Sequence, residues 1–197
     1  EAMAIIVDHE SEYKGERKVR DAIAEYFSDD VVVYNNREVN GREYDICLLV
    51  KDVCVFIVEV KGWLADKINV HGIDDIEVEG YAEQQKSPKK QAKSYCIQYF
   101  TKLKKQLGTS PLVVDLVAYP FITKEQYYES HLNIISEEQF TLFKEDLGDH
   151  ASLKKKFQMA FDAKKAIPHA ELNAELISRI RRKEEPDYND SEDKDLI

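Results

Sequence analysis

Asp45, Glu59 and Lys61 are the side chains whose types and spacing could do chemistry. Glu59 and Lys61 end the run Val53-Cys-Val-Phe-Ile-Val-Glu-Val-Lys61, apolar and mostly β-branched, which reads as a strand buried on both faces. Side chains two apart on a strand point the same way, so both share a face with Val55 and Ile57 and project together. A lone Glu-x-Lys at a strand end is most often a structural ion pair. A second carboxylate beside it changes the reading, because two like charges held together need a proton or a cation between them. Oxygen ligands on a rigid sheet suit Mg²⁺ or Mn²⁺, and a neighbouring ammonium suits an anionic substrate or a metal-bound water.

Whether Asp45 is that second carboxylate depends on strand register. Tyr44-Asp-Ile-Cys-Leu-Leu-Val50 reads as the antiparallel partner, with a turn at Lys51-Asp52. A strict two-residue loop would set Val50 against Val53 and leave Asp45 and Glu59 on opposite faces of the sheet. A three-residue loop, Lys51 to Val53, or a one-residue bulge pairs Val50 with Cys54, Leu49 with Val55, Cys47 with Ile57 and Asp45 with Glu59. Only this odd register gives one wholly apolar face (Ile46, Leu48, Val50, Cys54, Phe56, Val58) and one face ending in Asp45, Glu59 and Lys61. It is the register expected.

These residues carry a resemblance. Asp45, then Glu59-Val-Lys61 at the end of an apolar strand, resembles the PD-(D/E)xK nuclease superfamily, and the surrounding sequence resembles its NERD (nuclease-related) domain. The matching pieces are Gly15-Glu16-Arg-Lys-Val19 opening a first helix, Arg42-Glu-Tyr-Asp45, Val58-Glu-Val-Lys61, and Ser87-Pro-Lys-Lys-Gln91 opening a later helix. They cover roughly residues 10 to 120. Tyr44 stands where the superfamily's name would put Pro, a position that varies among such nucleases. The resemblance implies that Asp45 and Glu59, with the Val60 carbonyl, bind Mg²⁺ or Mn²⁺. It implies further that Lys61 positions and activates the attacking water, and that Glu16 and Gln91 complete the site.

The elements that must position these groups follow from periodicity. Glu12 to Phe27 reads as a helix with Val19, Ile23, Tyr26 and Phe27 on one stripe. Glu16 falls on that same inward stripe; it is either a first-turn acid favoured by the helix dipole or a third acid facing the site. Val31–Tyr34 reads as a strand closed by Asn35-Asn36, and Ile68–Val70 and Ile76–Val78 as short strands at the sheet edge. A helix runs from about Lys86 to Leu107, with Ser87 as N-cap, Pro88 at its first position and Gly108 as its stop. It has no acid between Glu83 and Asp115, but carries Lys86, Lys89, Lys90, Lys93, Lys102, Lys104 and Lys105. That is either a solvated face or a phosphate-facing patch, the second reading resting on Lys86, Lys89, Lys90, Lys93 and Lys104. Gln91 lies on the shoulder of the buried stripe. His71 reads as a solvated turn histidine, and Trp63 either caps the core or stacks on a base.

Pro111–Ala118 returns as a buried strand. The fold class expected is therefore α/β, a restriction-endonuclease-like mixed sheet (α-β-β-β-α-β) flanked by helices, with a helical C-terminal extension. The expected domain is residues 1–135. An extension follows over 136–183, with a strand at Leu132–Ile135, a capping-box helix from Ser136 to Phe143, and helices over 152–163 and 170–182. Residues 184–197 read as an acidic disordered tail or a linker to a further domain, a helicase or ATPase being the kind a nuclease module serves.

Net charge is −10 over 197 residues, which on its face argues against a nucleic-acid binder. Residues 184–197 alone carry −6, however, leaving only −4 for the rest. Cys47, Cys54 and Cys96 are odd in number and lack metal-ligand spacing, so they read as reduced thiols of a cytoplasmic protein. Ala4–Val7 is too short for a signal peptide or a membrane span. Two functions remain open: a Mg²⁺- or Mn²⁺-dependent nuclease acting on DNA, with RNA also open, and an idle nuclease fold that binds nucleic acid or a partner domain.

Overall fold

The computed structural model describes residues 2–81 and 84–189; Glu1, Ala82, Glu83 and residues 190–197, most of the expected acidic tail, lie outside them. In chain order the elements are β1 (Ile5–Ile6), α1 (Lys14–Tyr26), β2 (Val31–Asn35), β3 (Glu38–Val39), β4 (Arg42–Glu43), β5 (Ile46–Val50), β6 (Cys54–Val60), β7 (Ile68–Gly72) and β8 (Asp75–Val78). There follow α2 (Pro88–Leu107), β9 (Val113–Ala118), α3 (Lys124–Glu129), β10 (Thr141–Leu142), α4 (His150–Lys164) and α5 (Ala174–Glu184). Among the described residues, six strands form one sheet in the order β1-β2-β5-β6-β9-β10. β2, β5 and β6 run antiparallel, while β9 lies parallel to β6. A parallel neighbour needs a crossover, and α2 supplies it. Helix α1, strands β2, β5 and β6, helix α2 and strand β9 are the expected α-β-β-β-α-β order around a mixed sheet.

β6 is central and buried at all seven positions. Alternation along it sorts side chains into two cores. Ile46, Leu48, Cys54, Phe56 and Val58 face Val19, Ala22 and Ile23 of α1 and Leu153, Phe157 and Ala160 of α4. Cys47, Leu49, Val55 and Ile57 face Tyr99 and Leu103 of α2 and Leu176, Ile177 and Ile180 of α5. A third cluster, with Trp63, Val117, Tyr119, Tyr127 and Phe143, packs beyond the end of the sheet where Glu59 lies. Burial raises the pKa of the three cysteine thiols, so they remain protonated.

α2 starts and stops as its sequence dictates. Ser87 accepts a hydrogen bond from Lys90 N–H, and Gly108 ends the helix at φ 75°, a left-handed conformation that costs glycine least. Three expectations fail. Leu132–Ile134 is a 3₁₀ turn rather than a strand, because His131 at φ 61° turns the chain sharply just before it. The Ser136 helix does not form either. The Ser136 hydroxyl is buried and paired with Thr141 Oγ1 at 2.9 Å, so it is spent across the loop instead of on a helix N–H. The chain there makes a short 3₁₀ turn and then β10, which extends the main sheet beside β9. The capping box lies earlier, at Thr123 and Gln126. Finally, β7 and β8 pair as a separate hairpin and do not extend the main sheet.

The first acids of the expected tail are held firmly. Glu184 Oε1 lies 2.7 Å from Lys102 Nζ, and Glu185 Oε2 accepts from the Tyr34 hydroxyl at 2.7 Å. Arg37, paired with Asp8 at 2.8 Å, donates to the Glu184 carbonyl.

Candidate functional site

The register at the β5–β6 hairpin is the odd one. Val50 pairs with Cys54, Leu49 with Val55, Cys47 with Ile57 and Ile46 with Val58. The turn spans Lys51 to Val53, with Val53 N–H bonded to the Val50 carbonyl at 3.0 Å and Asp52 at φ 62°, a conformation Asp tolerates better than most residues. Asp45 thus arrives opposite Glu59, and its Oδ2 accepts from Val60 N–H at 2.7 Å. Glu59 Oε1 stands 3.4 Å from Lys61 Nζ, whereas Oε2 is buried without a hydrogen-bond partner. The Glu59–Lys61 ion pair and the carboxylate site therefore coexist.

Helix α1 contributes the third acid. Glu16 is buried and accepts from Ser11 Oγ at 2.9 Å. Its position depends on Gly15: a Cβ there would stand 3.1 Å from Pro120 Cγ and 3.3 Å from Gly62 Cα. The helix start is therefore seated directly on the loops that follow β6 and β9. Gly15→Val should cost about 1–3 kcal/mol by overpacking and displace Glu16, as read by thermal unfolding and by loss of whatever activity the site supports.

These groups share one cavity of about 400 Å³, lined by Glu16, Asp45, Glu59, Val60, Lys61 and Trp63, with Tyr13, Lys14, Tyr81 and Phe121 also in its wall. Burial first, and Glu59 second, push the Asp45 carboxyl up to about 8. Burial likewise raises Glu59, with Lys61 pulling the other way. Tyr95 on α2 is raised by burial and then by Glu59 and Asp45, so the tyrosine also lies within the field of the pair.

A hard divalent cation suits this set: one buried carboxylate oxygen lacks a partner, and a second carboxylate beside it holds its proton tightly. Among the described residues, no group of three or more His, Cys, Asp or Glu side chains gathers closely enough to encage an ion. The remaining ligands would be a backbone carbonyl, water or substrate, which is the manner in which Mg²⁺ is usually held.

Residues 11–120 match the family described as the nuclease-related domain, NERD. The chain belongs to the NERD family. Among solved structures it is similar to the crystal structure of a repair endonuclease from Pyrococcus abyssi, at 17% identity and a TM-score of 0.35. The similarity covers 68% of this chain and 47% of the other, so the chain spans about half of that protein's length. No curated protein matches the sequence.

Within this NERD chain the remaining candidates separate. Gln91 does not line the carboxylate cavity; it borders a neighbouring cleft with Arg42, Lys86, Lys90 and Ser94. Two of the five α2 lysines are paired with acids from elsewhere in the fold: Lys89 with Asp115 at 2.8 Å and Lys90 with Asp74 at 2.5 Å. Lys86 and Lys93 are exposed, and Lys104 Nζ lies 6.0 Å above the Phe100 ring. Trp63 is buried and stacks on Tyr119, closing the core beside the cavity, with Lys61 Nζ 5.9 Å from its ring. His71 pairs with Glu77 at 3.4 Å on the exposed hairpin. The cavity residues Tyr13, Lys14, Tyr81 and Phe121 gave no sequence signal, except that Lys14 adjoins the Gly15-Glu16 motif. Among the described residues, no helix is long and apolar enough to cross a membrane.

Proposed function

We propose that this nuclease-related chain is a phosphodiesterase that hydrolyses DNA with the help of Mg²⁺ or Mn²⁺. The observation that carries the reading is the convergence of Asp45 and Glu59 at a strand end beside Lys61, with one buried carboxylate oxygen unpartnered. Asp45 and Glu59 would hold the ion together with the Val60 carbonyl. The bound ion would supply Lewis-acid polarisation of the phosphate and lower the pKa of a water.

Lys61 then has two tasks. Its ammonium, close to Glu59, positions the attacking water and offsets negative charge that builds on the phosphate oxygens. Glu16 adds negative charge at the opposite wall, where it favours a cation and orients solvent. The cavity's partial enclosure lowers the local dielectric and strengthens each of these interactions.

A second reading, a catalytically idle module that binds nucleic acid or a partner, is favoured by the lack of any three-ligand cluster among the described residues. Incubation with DNA in Mn²⁺ or Mg²⁺, against EDTA, separates the two. Metal-dependent strand scission is expected; intact DNA under both metals would leave the binding module standing.

A further inference from the structure

On the α1 side of the cavity three lysines crowd around one aromatic ring. Lys14 Nζ lies 5.7 Å and Lys18 Nζ 5.1 Å from the Phe121 centroid. Lys18 also donates to the Pro120 carbonyl at 3.0 Å, which fixes its ammonium there. Lys144 joins them because its N–H bonds the Ile122 carbonyl at 2.9 Å, one residue beyond Phe121. Its chain neighbour Glu145 is turned to the Lys124 N–H at 2.9 Å. Among the described residues none of the three lysines forms an ion pair, and each ammonium disfavours its neighbours: Lys18 has its pKa lowered by burial, then by Lys144 and Lys14. Lys14 and Phe121 line the same cavity as Asp45 and Glu59.

Like charges gathered without acids cost free energy in the isolated protein and lower the cost of bringing in an anion. The α2 face has the opposite character, since Lys89, Lys90 and Lys102 are already answered by Asp115, Asp74 and Glu184.

We propose that Lys14, Lys18 and Lys144, arranged around Phe121, form a subsite for a backbone phosphate of the nucleic-acid strand that enters the carboxylate cavity. The strand would then cross the molecule over the start of α1 and the loop after β9, and not along α2. This rests on the nuclease reading for the identity of the ligand, but not on catalysis. Each lysine contacts phosphate as a point charge, so the subsite carries no base preference.

The test is fluorescence anisotropy with a labelled DNA oligonucleotide in EDTA, where no cleavage occurs, titrated at several salt concentrations. K14A/K144A, which leaves the Lys18–Pro120 contact in place, is expected to weaken binding by about tenfold or more at low salt and to reduce the log–log salt slope by nearly two. K86A/K93A on α2 is expected to lose less. Circular dichroism melting checks that both variants fold. Equal losses in the two variants, a larger loss in K86A/K93A, or no binding by wild type would each overturn the proposal. Cleavage in Mn²⁺ is scored separately. Loss of binding in K14A/K144A without any wild-type cleavage keeps the subsite and removes the nuclease reading, and the converse pattern removes only the subsite.

Discussion

Glu59→Gln and Asp45→Asn are each expected to abolish DNA cleavage, and Lys61→Ala to reduce it by roughly 10²–10⁴-fold, but for different reasons. The acids hold the cation, so replacing either removes charge from the ligand set and should also erase the rise in melting temperature that Mn²⁺ gives wild type. Lys61 acts on the water and the developing phosphate charge, so Lys61→Ala should keep that rise. A purely structural Glu59–Lys61 pair makes the opposite forecast. Glu59 and Lys61 side chains are 7% and 18% exposed, and deleting one partner of a buried pair strands the other at about 3–5 kcal/mol. Melting of wild type, Glu59→Gln and Lys61→Ala with and without Mn²⁺, beside the cleavage assay, decides it. Large melting losses in both variants, with no effect of Mn²⁺ on wild type, would sink the catalytic assignment.

The second large effect is on pH dependence without metal. The Asp45 carboxyl rises from an ordinary 3.8 to about 8 in the folded protein, so the native state holds a proton that the unfolded state has released. Between those values the native state binds more protons, and stability must fall as pH rises. The contribution is complete below the unfolded pKa and lost on passing through the folded one; Glu59, shifted in the same direction, adds to the slope. Metal-free wild type should therefore melt at progressively lower temperature as pH climbs toward 8. Asp45→Asn, which cannot ionise, should flatten that decline and be at least as stable as wild type near pH 8. Mn²⁺ should reverse the trend, stabilising most where the carboxyls are ionised, because its ligands must be deprotonated. A metal-free melting curve that rises across this interval would refute the electrostatic account of the pair.

What could be read from the sequence was what periodicity of two controls. The β5–β6 register followed from asking which pairing leaves one face apolar, and Asp45 and Glu59 were placed by that alone. Glu16 followed from helical phase against Val19 and Ile23. Phase gives the side of a helix but not where the helix lies, which is why Gln91 was assigned to the site yet borders the adjoining cleft. The α2 lysines looked uncompensated because the chain near them has no acid; their partners Asp74, Asp115 and Glu184 come from other elements, and pairing across the fold leaves no local trace. β10 is two residues long, too short for any periodicity to register. The Ser136 helix was suggested by a pattern whose serine had been committed to Thr141.

The sheet that carries the site is roofed from the far end of the polypeptide. Helix α4 covers the Phe56 face and α5 the Ile57 face, whereas the family match, with every candidate acid, stops at residue 120. During synthesis the β5–β6 hairpin leaves the ribosome early and closes locally, then waits with both faces only half covered until residues 150–184 follow. The stretch that is recognisable as a nuclease-related domain is thus not the stretch that can fold alone. A fragment trimmed to the recognisable borders would expose Phe56, Leu49 and Val55 to solvent and aggregate before its chemistry could be measured.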